Sequence, residues 1–275
     1  MIFSYSGYNA LLLPSSTKDV LTMNSDYRYS KQILIDSEFN FDISSSLILY
    51  PHEINIGNFQ YTYKIKNYQM LSNISLIQYG EFIDSESQYS FSSSDYIIKH
   101  TIYKKLNNHL HSSMDLKYIS SQIDNYTSTA IATKFNFYYH YQRLLIESFI
   151  SNYGMVLNSY TTFTEELPIA YGTSIYYLPK YIKSIISITY NIFNDYNTLN
   201  FQNELFISNQ FSIILGYNSI AYNLYSGEFN DDFLIGVSIG GSFQYKDYMI
   251  DMGIKNLGAM GIISSFTVAK SINQF

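Results

Sequence analysis

The chain has 275 residues, no Cys, no Trp and a formal net charge of −6; 14 % of its residues are charged and 18 % aromatic, from 30 Tyr and 19 Phe. Lack of Cys excludes a disulfide scaffold and a thiolate zinc site, an acidic chain with only Arg28 and Arg143 as arginines argues against a nucleic-acid binder, and 47 % hydrophobic content argues against disorder. No apolar run approaches the roughly 18–20 residues of a transmembrane helix, so few charges, abundant Tyr and Phe and a mean hydropathy of −0.07 point to a transmembrane β-barrel.

In chain order, the opening MIFSYSGYNALLLP has neither a basic n-region nor a small-residue cleavage site. An outer-membrane location therefore implies a signal peptide already removed or trimmed. Leu11, Leu12, Leu13 and Pro14 precede a helix-compatible stretch, Ser15 to Met23, with Ser15 or Ser16 placed to cap it. Residues 1–27 are expected to form a hatch or plug folded into the lumen, the alternative being an untidy lead-in to the first strand. From about residue 56 period-2 alternation dominates. It predicts strands near 56–66, 69–80, 92–104, 108–120, 125–138, 141–154, 167–178, 182–193, 198–208, 210–219, 232–244, 246–256 and 260–270. One more from 28–50 completes an even fourteen, in a single domain spanning 1–275. The clearest case sets Phe233, Ile235, Val237, Ile239, Phe243 and Tyr245 against Gly236, Ser238, Gly240, Ser242 and Gln244, and the next strand sets Tyr248, Ile250, Met252 and Ile254 against Asp247, Asp251, Gly253 and Lys255. The links near 67–68, 105–107, 139–140, 179–181, 209 and 245 are short, whereas 81–91, 155–166 and 222–231 are long and fall on the alternate side. That sorting matches the short periplasmic turns and longer outer loops of membrane barrels.

Charges inside strands carry the next inference. Arg143, Glu147, Lys183, Asp247, Asp251 and Lys255 oppose the apolar face of their strands and are expected to face the lumen, lining a pathway or pairing with one another and the plug. Glu81, Asp84, Glu86, Glu165, Glu228, Asp231 and Asp232 lie in or beside the long links and are candidate partner-loop residues. His109 and His111 alternate on one strand without a carboxylate at a supporting spacing, and Glu228, Asp231 and Asp232 lack the EF-hand pattern. No catalytic, metal or cofactor site is expected. There is no G-x-S-x-G and no nucleotide loop, so nothing in the chain reads as an enzyme.

The segment LLLPSSTKDVLTM resembles the N-terminal motif of the PorV/PorQ family of outer-membrane proteins, a leucine-proline followed by Ser-Ala-Arg and an apolar helix. Leu13, Pro14 and Ser16 match, whereas Thr17 and Lys18 stand where Ala and Arg are usual. Tyr79-Gly80 with Phe82, Phe91-Ser92 before Asp95-Tyr96, Leu116-Lys117 before Tyr126-Thr127-Ser128, Glu166-Leu167-Pro168 and Gly216-Tyr217-Asn218 are similar to the PorQ branch. The family's asparagine-proline-alanine segment is replaced by Leu47 to His52. The resemblance implies a FadL-type barrel of about fourteen strands in the outer membrane of a Bacteroidetes-like bacterium. It also implies a non-enzymatic scaffold of the type IX secretion and cell-surface attachment machinery, whose outer loops bind a PorZ-, PorU- or PorV-like surface protein. Two alternatives stand beside it: a FadL-like transporter of a hydrophobic small molecule with Leu11–Met23 as hatch, and a soluble or surface β-rich adhesin.

Overall fold

The computed structural model describes residues 8–35, 43–83, 89–161, 165–224, 226–228 and 232–272. Within them the strands are β1 (Ile43–Leu49), β2 (Asn55–Ile65), β3 (Tyr68–Ile83), β4 (Ser90–Lys105), β5 (Leu110–Ile123), β6 (Tyr126–Tyr141) and β7 (Leu144–Asn158). They continue as β8 (Ala170–Tyr177), β9 (Ser184–Phe193), β10 (Asn197–Phe206), β11 (Phe211–Asn218), β12 (Val237–Tyr245), β13 (Tyr248–Asn256) and β14 (Ile262–Lys270). Each pairs antiparallel with its sequence neighbours, and β1 pairs with β14, Ile43 opposite Lys270, to close the barrel. Closure satisfies the backbone within the sheet and leaves no edge, which a bilayer demands.

Alternation sorts the side chains inside out relative to a water-soluble protein. Ser46, Asn58, Asn73, Thr189, Gln202 and Ser242 are buried on the lumen face, while their neighbours Leu47, Phe59, Ile74, Ile188, Phe201 and Phe243 are exposed on the outer one. An outer face of large apolar side chains around a polar interior is the arrangement lipid stabilises.

Turns of two residues join β2 to β3, β5 to β6, β6 to β7 and β12 to β13. The first residue of each, Lys66, Asp124, Gln142 and Lys246, has a positive φ of 51–54°, as tight antiparallel hairpins require. The expected sorting of connections holds in one direction: every connection at the β2–β3 end is six residues or shorter, and the long ones at 159–169 and 219–236 lie at the opposite end. That long-loop end also carries short turns, Asp124–Asn125 among them. Strands β3 to β7 run 14–16 residues and β8 to β14 only 8–10. Ser151 is the last β7 residue paired with β8, so the tall half of the wall projects past the short half on the long-loop side. At that step Ser151 and Asn152 together oppose Lys134, a bulge in which Asn152 adopts φ +58° and both side chains turn inward.

The first strand is shorter than the 28–50 region allowed. Ahead of it lie two helices inside the barrel, α1 (Thr17–Thr22) and α2 (Tyr27–Ile35), preceded by a 3₁₀ turn at Asn9–Leu12. Ser16 caps α1 by accepting from the Asp19 N–H at 3.2 Å, and Asp19 Oδ2 accepts from the Ser15 N–H at 3.1 Å. Helix α2 arises where the sequence looked mixed, because Tyr27, Ser30, Ile33 and Leu34 recur at helical spacing and are all buried. The plug thus reaches Ile35, beyond the expected limit at residue 27. Asp84, Glu86 and Asp231 lie outside the described residues.

Candidate functional site in the lumen

The N-terminal segment descends through the barrel from the long-loop end. Near the top Tyr8, Ala10 and Leu11 pack with Ile48, Ile77, Ile119 and Ile263 of the wall. At the short-turn end Tyr27, Tyr29, Ile33 and Leu34 of α2 pack with Tyr103, Tyr138, Leu145, Tyr176 and Ile185. Between these layers α1 lies against β11, β12 and β13, where Leu21 is seated on three glycines. A Cβ on Gly216 would strike the Leu21 carbonyl, one on Gly240 would strike the Leu21 side chain, and one on Gly253 would stand 2.8 Å from Leu21 Cδ2. Gly240 and Gly253 are direct cross-strand partners, so the missing side chains form one depression that admits the helix.

Charge fixes the plug at four points on the wall. Glu204 of β10 accepts from Lys31 Nζ at 2.8 and 2.9 Å, from Tyr27 Oη at 2.6 Å and from Ser212 Oγ at 2.8 Å, with Lys18 Nζ at 3.7 Å. Asp251 of β13 takes Arg28 Nη2 at 3.3 Å and Lys18 Nζ at 4.0 Å. Lys134 of β6 pairs with the Asp26 carboxylate and lies 4.5 Å above the Phe149 ring. Glu147 of β7 accepts from Asn24 Nδ2 at 3.1 Å, Ser30 Oγ at 3.2 Å and Tyr176 Oη at 2.9 Å. Opposite charges offset the desolvation of Glu204, Asp251 and Lys134, whereas Glu147 takes its bonds from neutral donors. On the plug itself, burial holds the Asp19 carboxyl above the usual carboxylate range, although Lys99 and the bonds from Ser15 and Ser16 draw it down.

Of the six strand charges singled out above, Glu147, Asp251 and Lys255 are buried in the lumen. Arg143, Lys183 and Asp247 are not: they are exposed in the β6–β7, β8–β9 and β12–β13 connections, one residue before the next strand begins. The alternation was continued past the point where pairing ends. Glu204 and Lys134 were missed, although the run Thr198, Asn200, Gln202, Glu204 puts polar residues on every second position, the same inward signal. Among the loop residues, Glu81 is exposed at the end of β3 and accepts from Ser90, and Glu228 is exposed. Asp232 is turned into its own loop, accepting from the Ser226 and Gly227 N–H groups, both at 2.8 Å. His109 is exposed and its Nδ1 lies 3.0 Å from the His140 carbonyl oxygen.

Among the described residues, two spaces beside the plug stand out. A vestibule of about 560 Å³ on the long-loop side is lined by Leu12, Leu13, Pro14, Val20 and Met23 of the plug, by Phe193, Leu257 and Ile263 of the wall and β13–β14 connection, and by Glu165 to Ile169. A smaller chamber of about 150 Å³ is mixed in character, bordered by Lys99, Lys117, Lys134, Asn73 and Asn152 and by Leu11, Ile97 and Phe149. Leu12, Leu13, Pro14 and Met23 border both. Three of the four residues expected to form the hatch therefore sit where one space meets the other, and the fourth, Leu11, anchors the segment in the upper apolar layer.

No family model and no curated protein matches the chain. Solved structures do. The monoaromatic hydrocarbon channel CymD superposes with a TM-score of 0.64 at 7 % identity, over 98 % of this chain and 97 % of that one. The toluene transporter TodX of Pseudomonas putida gives 0.56 at 8 % identity, over 84 % of this chain and 89 % of that one. The toluene transporter TbuX of Ralstonia pickettii gives 0.50 at 10 % identity, over 85 % and 88 %. At these identities the likeness is one of fold: a closed fourteen-strand membrane-type barrel with a helical N-terminal segment.

Proposed function

We propose that the chain is a FadL-like outer-membrane transporter that passes a hydrophobic small molecule, with its own N-terminal segment as the hatch. The observation that carries this reading is the vestibule, an apolar-lined cavity whose floor is Leu12, Leu13, Pro14 and Met23 of a plug held to the wall by reversible ion pairs. The fold shared with hydrocarbon channels supports it. The outer girdle of Leu47, Phe59, Ile74 and their equivalents would meet membrane lipid.

Uptake of the fluorescent probe N-phenylnaphthylamine into lipopolysaccharide-coated cells tests the proposal. Cells making the protein should admit the probe faster than vector controls, and uptake equal to the control would overturn it. The secretion-scaffold reading is supported by the sequence resemblance around Leu13, Pro14 and Ser16 and by the long loops. Extraction in mild detergent separates the two: a stoichiometric surface protein would favour the scaffold, a lone barrel holding a hydrophobic molecule the transporter.

A further inference from the structure

The cations of the chain are divided between two places. Of the sixteen Lys and Arg residues, all of them among the described ones, Lys18, Arg28 and Lys31 belong to the plug and four more border the lumen. The other nine are exposed, and every one lies at the short-turn end. Lys66, Arg143, Lys180, Lys183 and Lys246 stand in the β2–β3, β6–β7, β8–β9 and β12–β13 connections. Lys64, Lys104, Lys105 and Lys270 fall within the last two positions of β2, β4 and β14, which run to the same end. Among the described residues the only exposed carboxylate there is Asp247. Counting Asp36, Glu38 and Asp42 as well, which lie outside the described residues, leaves nine cations against four carboxylates.

At the long-loop end the signs are reversed. Glu53, Glu81, Glu166, Asp195 and Glu228 are exposed in or beside five different connections, and no exposed Lys or Arg accompanies them. The outer surface is therefore polarised along the barrel axis, basic at one rim and acidic at the other.

Four of the rim lysines are held over tyrosine rings. Lys104 Nζ stands 5.1 Å from the centre of the Tyr68 ring, Lys246 and Lys270 5.3 Å from those of Tyr245 and Tyr248, and Lys180 5.4 Å from that of Tyr181. Tyr245 and Tyr248 are direct cross-strand partners, and Tyr248 also opposes Lys270. Both rings are exposed on the outer face, in phase with Phe243 and Met252 of the apolar band. Lys270, Tyr248, Tyr245 and Lys246 thus form one outward patch at the height where the apolar face gives way to the turns. A soluble partner would meet the turns end-on. A lipid headgroup comes from the side, at the level where interfacial tyrosines and basic side chains sit.

We propose that this short-turn rim binds the headgroups of anionic phospholipid, with Lys246 and Lys270 over Tyr245 and Tyr248 as its most compact seat. The acidic long-loop end is repelled by the same lipid, so the two rims together set which way the barrel sits in its membrane. The inference rests on the barrel and not on what the barrel carries.

Native mass spectrometry of the detergent-solubilised full chain tests it, with equal amounts of dioleoyl phosphatidylglycerol and dioleoyl phosphatidylcholine offered at neutral pH and low salt. The wild type should retain phosphatidylglycerol at least about fivefold better, the worth of a single cation at an anionic headgroup layer. Lys104→Gln, Lys180→Gln, Lys246→Gln and Lys270→Gln combined should lose most of that preference, and the same four changed to Arg should keep it. Heat-modifiable migration on a denaturing gel confirms an intact barrel in each variant. Glu53→Gln, Glu81→Gln and Glu228→Gln combined remove three charges from the opposite rim and should leave the preference unchanged. Equal retention of the two lipids by the wild type, or a preference undiminished in the four-Gln variant, would overturn the proposal. A preference that shifts as strongly with the three glutamates would also overturn it, because net charge and not the rim would then decide. Displacement of the lipid by an equal concentration of inorganic phosphate, or retention of lipid A instead through the same four lysines, would refute the assignment to phospholipid. An acidic protein extracted with the wild type in mild detergent and lost from the four-Gln variant would replace lipid as the occupant.

Discussion

The ion pairs between plug and wall make a measurable claim about what keeps the lumen closed. In Glu204→Gln the carboxylate that receives Lys31 at 2.8 and 2.9 Å and stands 3.7 Å from Lys18 is replaced by a neutral amide of the same shape. Tyr27 donates to Oε2 and Ser212 to Oε1, so only one of them can still donate to the single amide oxygen; Lys31 loses its carboxylate in a site where the Glu204 side chain is fully buried, and Lys18 keeps only Asp251 at 4.0 Å. Removing one partner of a buried pair typically costs about 3–5 kcal/mol, because the surviving charge is left uncompensated. If that cost falls on the docked plug, the undocked population rises by roughly two to three and a half orders of magnitude. The chain has no Cys, so a single Thr17→Cys provides a clean reporter: Thr17 is fully buried and its N–H donates to Thr267 Oγ1 at 3.0 Å. Maleimide labelling of that cysteine should accelerate by about two orders of magnitude or more in the Glu204→Gln background, from the low end of the undocking range above. The barrel itself should stay intact, as judged by heat-modifiable migration on a denaturing gel. An unchanged labelling rate in an intact barrel would refute the claim that Glu204 anchors the plug.

Two further outcomes follow from the same geometry. Gly253→Val places methyl groups where Leu21 Cδ2 now lies within 2.8 Å of the missing Cβ, so α1 should be displaced at an overpacking cost of about 1–3 kcal/mol, read as faster labelling of the same cysteine. A Thr17→Cys, Thr267→Cys pair replaces two hydroxyls that are 2.9 Å apart; the oxidised disulfide should lock α1 to β14 and stop probe uptake, and reduction should restore it. Uptake insensitive to the redox state would mean that the segment is not a hatch.

The wall was legible in the sequence because one physical rule, polar inward and apolar outward at period two, repeats in nearly every strand. The rule has no sense of where pairing stops. Arg143, Lys183 and Asp247 keep the phase of the strands that follow them, yet solvated turns also favour charge, so their type does not separate the two locations. Helix α2 was obscured by Tyr27 and Tyr29, residues that favour strands when exposed to a partner and here pack inside the barrel against Tyr103, Tyr138 and Tyr176. The site was legible only in halves. Leu12, Leu13 and Pro14 could be placed in a segment folded into the barrel, and Glu147, Asp251 and Lys255 in the lumen. Their partners could not, since Lys31 meets Glu204, Arg28 meets Asp251 and Asp26 meets Lys134 across separations of 173, 223 and 108 residues, which no local pattern encodes.

The form of the attachment bears on whether the plug is a seal or a hatch. A permanent seal is served better by apolar packing, since well-packed hydrophobic residues in place of a buried ion network are often as stabilising or more so. Here the two ends of the plug are apolar, but its middle is held by Glu204, Asp251, Lys134 and Glu147. Those groups face a polar lumen in which they would be rehydrated on release, so undocking costs them less than it would cost an apolar surface. Salt then becomes the discriminating variable. Raising ionic strength from about 0.1 M to 1 M shortens the screening length from about 10 Å to 3 Å. An ion-paired hatch should respond with faster labelling of Cys at position 17 as salt rises. In the Gly253→Val background, where the apolar seat of Leu21 is already lost, the charges carry a larger share of the attachment of α1, so the salt response should be steeper. A rate independent of salt in both backgrounds would mean that packing alone closes the barrel and that the segment is a structural stopper.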